Sequence, residues 1–363
     1  MYRRKYVDGS RAVYLILFIA SIILSCDIES RKDKSLIQFK DFPKDFEVLW
    51  GDTLLYQKDR ISFSKSVDID RILLIDDKIY ILQLGRRVEI FNQDGKYIGP
   101  LGKRGEGPGE YLLPENIFYC HNLIGLHDAM GKIVFYSKGN EHLYDIEIVL
   151  EGGSFDIICE NDYLLIYPRS FKTSFPYHIW KVDRNTGAFL QGYLPVNMKY
   201  AGYFNKGMFE GRMWVNESFI FVFNSIYGKL FRINKNNEKV DTLNLSLPSY
   251  LEQFKWPPKS LNASMRQVEN AYHTSRMNIS DFYVHKDWYI MRIFMKPDPD
   301  NAMGITVYLF SNESSGKAYY LIFSEYNFFT FRDGFFYQYQ PELRRDVLVR
   351  YGIAWEKLAS AVN

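Results

Sequence analysis

Residues 71–98 read Arg71-Ile-Leu-Leu-Ile75, Asp76-Asp77, Lys78-Ile-Tyr-Ile-Leu-Gln83, Leu84-Gly-Arg86, Arg87-Val-Glu-Ile-Phe-Asn92, Gln93-Asp-Gly95 and Lys96-Tyr-Ile98. Four short apolar or alternating runs are joined by three tight polar connections, the pattern of consecutive antiparallel strands. Asp94-Gly95 is a hairpin turn, because Gly tolerates the positive φ that such turns require.

The second strand of this unit has five echoes: Leu123-Ile-Gly-Leu126, Tyr163-Leu-Leu-Ile-Tyr167, Phe219-Ile-Phe-Val-Phe223, Trp288-Tyr-Ile-Met-Arg292 and Phe335-Phe-Tyr-Gln338. Most follow a polar turn directly, and the second turn residues fall at 77, 122, 162, 217, 287 and 334. Spacings near 40–50 residues are those of a four-stranded propeller blade. Six markers predict an all-β, six-bladed β-propeller. One four-stranded sheet cannot bury both faces; six packed around an axis bury all of them, with large side chains filling the seams. The long interval from 217 to 287 holds Pro257-Pro258 and then a stretch rich in Ala, Gln, Glu, Met and Arg. It predicts an inserted helix around 259–277, and a second helix is expected over Trp355–Ala361. Closure of the last blade by a strand from 46–63 is expected, without the sequence fixing which segment supplies it.

Composition agrees. Of 363 residues, 47% are hydrophobic and 24% charged, which excludes a disordered chain. Aromatic residues make 17%, an excess that suits strands and inter-blade packing. Forty-five basic residues against 43 acidic leave a net charge of +2, so a broad nucleic-acid-binding surface is not expected. Three cysteines cannot form a disulfide framework. Cys120 and Cys159 occupy matching repeat positions. Equivalent positions in neighbouring blades are expected to lie beyond the roughly 4.4–6.8 Å Cα spacing of a disulfide, so two free, buried thiols are expected.

The N-terminus reads as an address. Arg3, Arg4, Lys5 and Arg11 precede an apolar run from Val13 to Leu24, long enough for a signal-peptide core and short for a bilayer span. Ile23-Leu24-Ser25-Cys26 resembles a bacterial lipobox. That resemblance implies cleavage before Cys26, a diacylglycerol on its thiol, and a membrane partnership through lipid. The expected organisation is a signal peptide at 1–25, a polar tether at 26–40 and the propeller at 41–363. The expected location is the cell envelope, on the periplasmic or surface side of an outer membrane.

At Gly102-Lys-Arg-Gly-Glu-Gly-Pro-Gly-Glu-Tyr111, after the Phe91-Asn-Gln-Asp-Gly-Lys96 hairpin, the chain resembles the six-bladed β-propeller lipoproteins of Bacteroidetes. The resemblance implies the fold and the envelope location, and transfers no catalytic residue. The glycine loop lacks the Gly-Lys-Ser/Thr ending of a phosphate loop and leads into a strand, so it reads as an inter-blade crossover.

Propeller geometry directs attention to the face where second-to-third-strand loops and inter-blade crossovers emerge. There the sequence places Arg86, Arg87, Arg104, Glu106, Glu110, His127, Asp128, Arg169 and Arg292, a rim of mixed charge. Such a rim suits a glycan or a partner protein, and a solvated loop face is the simpler account of the same residues. The six histidines show no metal-ligand spacing, His127-Asp128 lacks a placed nucleophile, and no cofactor is implied. The expected function is an envelope-anchored binding or interaction module. The alternative is a metal-dependent lactonase- or lyase-like propeller enzyme, which needs acidic and amide ligands converging on inner strands. A mainly structural envelope scaffold is a third reading.

Overall fold

The computed structural model describes residues 47–50, 55–83, 87–148, 154–168, 176–196, 211–224, 229–243, 277–295, 305–312, 314, 318–322, 328–332, 334–341 and 346–362. All fall in one compact unit, Asp45–Asn363. Two strands come first, β1 (Glu47–Trp50) and β2 (Leu55–Ser62). Blade one is β3 (Arg71–Ile75), β4 (Lys78–Gln83), β5 (Arg87–Asn92) and β6 (Tyr97–Leu101). The crossover after it carries a small parallel pair, β7 (Lys103–Arg104) and β8 (Glu110–Tyr111). Blade two is β9 (Pro114–Cys120), β10 (Leu123–Asp128), β11 (Lys132–Ser137) and β12 (His142–Glu147). Blade three is β13 (Ser154–Cys159), β14 (Tyr163–Pro168), β15 (Tyr177–Asp183) and β16 (Phe189–Pro195). Blade four is β17 (Gly211–Val215), β18 (Phe219–Asn224), β19 (Lys229–Asn234) and β20 (Val240–Leu243). Blade five is β21 (Met277–His285), β22 (Trp288–Met295), β23 (Ile305–Asn312) and β24 (Ala318–Ile322). Blade six is β25 (Phe328–Arg332), β26 (Phe335–Pro341) and β27 (Asp346–Ile353), followed by the helix α1 (Trp355–Val362). Six antiparallel blades make the molecule a six-bladed β-propeller.

The turns explain why these strands form where they do. Asp76, His121, Asn122 and Lys286 hold positive φ between first and second strands, the conformation that tight hairpins need and short polar residues tolerate. Second strands read as continuous apolar runs because both their faces are covered: β4, β10 and β14 are buried along nearly their whole length. Outer strands such as β6 alternate instead. Gly95 and Gly187, at φ 78° and 73°, terminate equivalent third strands. A Cβ on either would collide with a carbonyl oxygen of the preceding blade, Ser62 or Glu147. These glycines therefore serve the seam as well as the turn.

Five of the seams are apolar clusters among the described residues. Tyr80, Leu82, Ile117, Leu126 and Tyr136 fill that between blades one and two. Phe118, Phe135, Ile157, Ile166 and Trp180 fill the next. Much of the aromatic excess lies in the later seams. Trp214 meets Tyr283 at 6.0 Å, Phe221 meets Tyr289 at 5.8 Å, and Phe310 meets Phe336 at 6.3 Å. Such pairs contribute about 0.5–1.5 kcal/mol each beyond the area they bury. The C-terminal helix α1, which matches expectation, adds to the blade five–six seam. Trp355 stacks on His285 at 4.4 Å, and Leu358 is fully buried.

The ring closes with β2, which pairs antiparallel with β27 from Leu55 opposite Ile353 to Ser62 opposite Val347. This settles which segment supplies the closing strand. The segment after β2 is clasped by Asp346, whose carboxylate accepts from Val67 N at 2.7 Å, Ser66 Oγ at 2.8 Å and the Tyr339 hydroxyl at 2.8 Å. Burial alone would raise the Asp346 carboxyl, but those three donors together hold it below the ordinary carboxylate value. β1 adds in parallel to β24, making blade five a five-stranded sheet.

One expectation is corrected. Cys120 and Cys159 are joined in a disulfide, with Cα atoms 5.1 Å apart. The free-thiol reading treated neighbouring blades as if they were equally separated throughout. Inner strands converge on the axis, and β9 touches β13 directly, so matched positions there come within bridging distance. Residues 259–276, where the inserted helix was expected, lie outside the described residues, and Met277 opens β21. Residues 1–25 and 26–40, where a signal peptide and a tether were expected, also lie outside them.

Candidate functional site

The inner strands β3, β9, β13, β17 and β21 each bring a polar residue to the same register level. Arg71 stands opposite Leu82, Asn116 opposite His127, Asp156 opposite Tyr167, Arg212 opposite Phe223 and Asp281 opposite Arg292. In every case the partner is the fifth residue of the second strand, at the end that opens onto the crossover face. In chain order the residues at this level are Arg, Asn, Asp, Arg and Asp.

Alternation along a strand fixes which way these residues look. Arg71 shares its face with Leu73, packed in the blade one–two seam. Asn116 shares its face with Phe118 and Cys120 in the blade two–three seam. Asp156 accepts Met213 N of blade four at 3.1 Å, tying blade three to blade four at this level. Arg212 shares its face with Trp214, which meets blade five. Arg71, Asn116, Asp156 and Arg212 are thus turned toward the next blade. Asn116 is 2% exposed, and its Nδ2 is buried without a hydrogen-bond partner.

Two of the residues singled out from the sequence join this level. His127 is fully buried across the strand pair from Asn116, and Arg292 is half-buried in register with Asp281. Others serve the loops. Asp128 accepts backbone N–H groups of Leu112 at 2.5 Å, Leu113 at 3.2 Å and Met130 at 3.0 Å, locking the crossover to the next loop. Glu110 turns into its own loop and accepts Gly107 N at 3.0 Å. Arg87 is exposed and pairs with the buried Glu89, which Lys65 also holds at 2.7 Å. Arg104 and Glu106 are exposed on the crossover. Arg86 and Arg169 lie outside the described residues.

The glycine-rich segment is a rigid crossover. The Tyr136 hydroxyl donates to Gly109 O and the Tyr111 hydroxyl to Leu101 O, each at 2.8 Å. Burial pushes both hydroxyls above the ordinary tyrosine value, which keeps them protonated donors. Asp145 accepts Gly109 N at 3.1 Å. The loop's amides are spent within the protein rather than aimed at an anion.

Sequence reasoning missed Arg71, Asn116, Asp156, Arg212 and Asp281. A signal was present: Arg71, Asn116, Asp156 and Asp281 each lie six residues before a turn marker, at 77, 122, 162 and 287. Among the described residues, no three of His, Cys, Asp and Glu gather as metal ligands. Arg71 and Arg212 also interrupt the run of carboxylates and amide around the axis. That interruption departs from the acidic and amide set that the metal-dependent lactonase or lyase alternative needs.

The fold is that of a β-propeller whose first five inner strands carry a polar residue at one register level. The chain belongs to the family described as a domain of unknown function, DUF4934, whose model matches residues 66–347. It is similar in structure to an exported protein of Bacteroides fragilis, with TM-score 0.60, 12% identity, and 85% of this chain and 98% of that one covered. It also resembles BamB from Moraxella catarrhalis, with TM-score 0.45, 10% identity, and coverage of 82% and 99%. PorZ, a surface component of the type IX secretion system of Porphyromonas gingivalis, aligns with TM-score 0.40, 7% identity, and coverage of 77% and 36%. No curated protein matches the sequence.

Proposed function

We propose that the protein is an exported cell-envelope binding module that grips a polar ligand, a glycan or part of a partner protein, at the axial mouth on its crossover face. The observation that carries this reading is the polar level formed by Arg71, Asn116, Asp156, Arg212 and Asp281. Mixed donors and acceptors held on rigid strands suit recognition, since little order has to be imposed on binding. Rigid loops around the mouth, locked by Asp128, support the same reading.

Export fits the disulfide, because such bonds persist in oxidising compartments. The Bacteroides fragilis relative is itself described as exported. Anchoring through a lipidated Cys26 belongs to this proposal. The exposed Arg104 and Glu106, together with Arg87, form the outer rim that a larger ligand would meet.

Full-length protein in mild detergent, probed on an array of neutral and acidic oligosaccharides, tests the binding reading. Binding to at least one glycan, lost at least tenfold in both Arg71→Ala and Arg212→Ala, is expected. Binding that survives in both variants would remove the axial mouth from the account. Fractionation of cells carrying Cys26→Ala tests the anchor: the protein should leave the membrane fraction, and persistence there would sink the lipid reading.

A further inference from the structure

Most exposed large apolar side chains among the described residues belong to outer strands: Ile98, Leu143, Leu190 and Val240 lie on β6, β12, β16 and β20. Leu113, 41% exposed, and Met130, 66% exposed, instead stand together on the crossover face of blade two. One oxygen of the buried Asp128 carboxylate accepts both Leu113 N, at 3.2 Å, and Met130 N, at 3.0 Å. Ala129 N donates to Leu113 O at 2.9 Å. The two backbones are locked side by side, and both side chains stay in solvent. Leu113 directly precedes β9, so the pair sits at the entrance to the inner strand that carries Asn116. The glycine-rich crossover borders it: Lys132 Nζ donates to Gly107 O at 3.2 Å, next to the turn that holds Met130. Lys103, Arg104 and Glu106 are exposed on that crossover. Glu110, its other acid, is turned inward onto Gly107 N, which leaves two cations against one carboxylate.

We infer that Leu113 and Met130 anchor an acidic, apolar segment of a partner protein docked at the mouth, with Lys103 and Arg104 pairing its carboxylates. The inference rests on the axial-mouth reading and names its partner class. Neither side chain offers a sugar hydroxyl more than the weak acceptor of a thioether. Met beside Arg is a composition enriched at protein interfaces, and the unbranched Met side chain adapts to the shape of an apolar partner. The cationic excess selects acid on the incoming segment and speeds its encounter. Backbones locked in advance by Asp128 lower the ordering cost of docking.

Photo-crosslinking in cells tests this with full-length protein carrying Met130→benzoylphenylalanine. A protein adduct is expected, whose crosslinked peptide carries Asp or Glu beside an apolar residue. Lys103→Glu combined with Arg104→Glu should cut its yield about tenfold, and Leu113→Ser should do the same. These side chains are exposed, so thermal unfolding should be unchanged in each variant. Leu190→benzoylphenylalanine, on an outer strand, should give no adduct that depends on Lys103 and Arg104. A lipid adduct, a basic crosslinked peptide, a yield indifferent to the charge reversal, or no adduct would overturn the inference. Glycan binding lost in Arg71→Ala and Arg212→Ala, without a protein adduct at position 130, would keep the axial mouth and overturn this partner. A charge-dependent protein adduct undiminished by Arg71→Ala and Arg212→Ala would keep the partner and confine it to the rim. If neither a glycan nor a protein is found, both readings fall.

Discussion

The blade six–one closure and the blade two–three seam solve one problem by different means. At the closure, segments nearly 300 residues apart meet, and directional polar contacts add to an apolar cluster that includes Phe63, Phe91 and Leu348. Asp346 gathers Ser66, Val67 and Tyr339, while Arg350 and Asp59, 291 positions apart, form a two-pronged pair beside the Phe335 ring. At the blade two–three seam, segments 39 residues apart meet, and an apolar cluster with one covalent bond holds them. Consecutive blades are brought together by the chain itself, which lowers the cost of their meeting. The closure has no such help, and its polar contacts specify which strand docks, and where.

Breaking the covalent side gives the largest expected effect. Cys120→Ala with Cys159→Ala, compared with the oxidised protein in urea, should lose about 4 kcal/mol, the loop-closure value for a span of this length. An unchanged midpoint would show that the apolar cluster alone sets the seam. Asp346→Ala should cost about 2 kcal/mol, because it strands the buried Val67 N, while exposed Ser66 turns to water and the Tyr339 hydroxyl keeps Val67 O. Asp346→Asn should cost less by equilibrium unfolding; equal losses would argue against the carboxylate clasp. Gly95→Ala at the closure and Gly187→Ala between blades two and three should each cost about 2 kcal/mol, from positive φ and the neighbouring carbonyl together. A clear inequality in thermal melts would show that one seam yields more easily.

Acid sharpens the contrast with a smaller, graded effect. Burial holds His178 of blade three near 3, against an ordinary histidine value of 6.5. The unfolded chain therefore takes up a proton below about pH 6.5 that the folded one refuses, and stability is lost as pH falls from there toward 3. The loss is about 1.4 kcal/mol per pH unit. Asp346, held below its ordinary value, keeps its stabilising contribution until pH falls below the unfolded carboxyl range near 3.8. Hydrogen exchange at pH 5 should show blade three loosening while the closure stays protected. His178→Phe should flatten the slope of stability between pH 6.5 and 5.

Much of this architecture is legible in the chain because it is written locally. The turn at Asp76-Asp77 and the run Lys78–Gln83 carry their own φ and burial requirements, and repetition multiplies the signal. The Cys120–Cys159 bond was not legible, because sequence spacing says nothing about how far inner strands converge. The axial level was half-legible. Arg71 and Asn116 look like ordinary polar residues at strand starts until register places them at one height. In blade four the turn is displaced by one residue, so Arg212 escapes the six-residue rule. Asp128 and Glu110 drew attention as charged loop residues, yet backbone N–H groups claim them both. Charge in a loop does not reveal whether a ligand or the loop itself uses it.

The pairing of β2 with β27 also sets a schedule. Asp59 is made 291 positions before Arg350, an interval of roughly 15–60 s at about 5–20 residues per second. Throughout that interval the closing strand has no partner, and a chain halted in blade five or six leaves it unpaired for good. A chain that ends before β27 therefore keeps an open ring and an unused sheet edge at β2, a template for pairing with another chain.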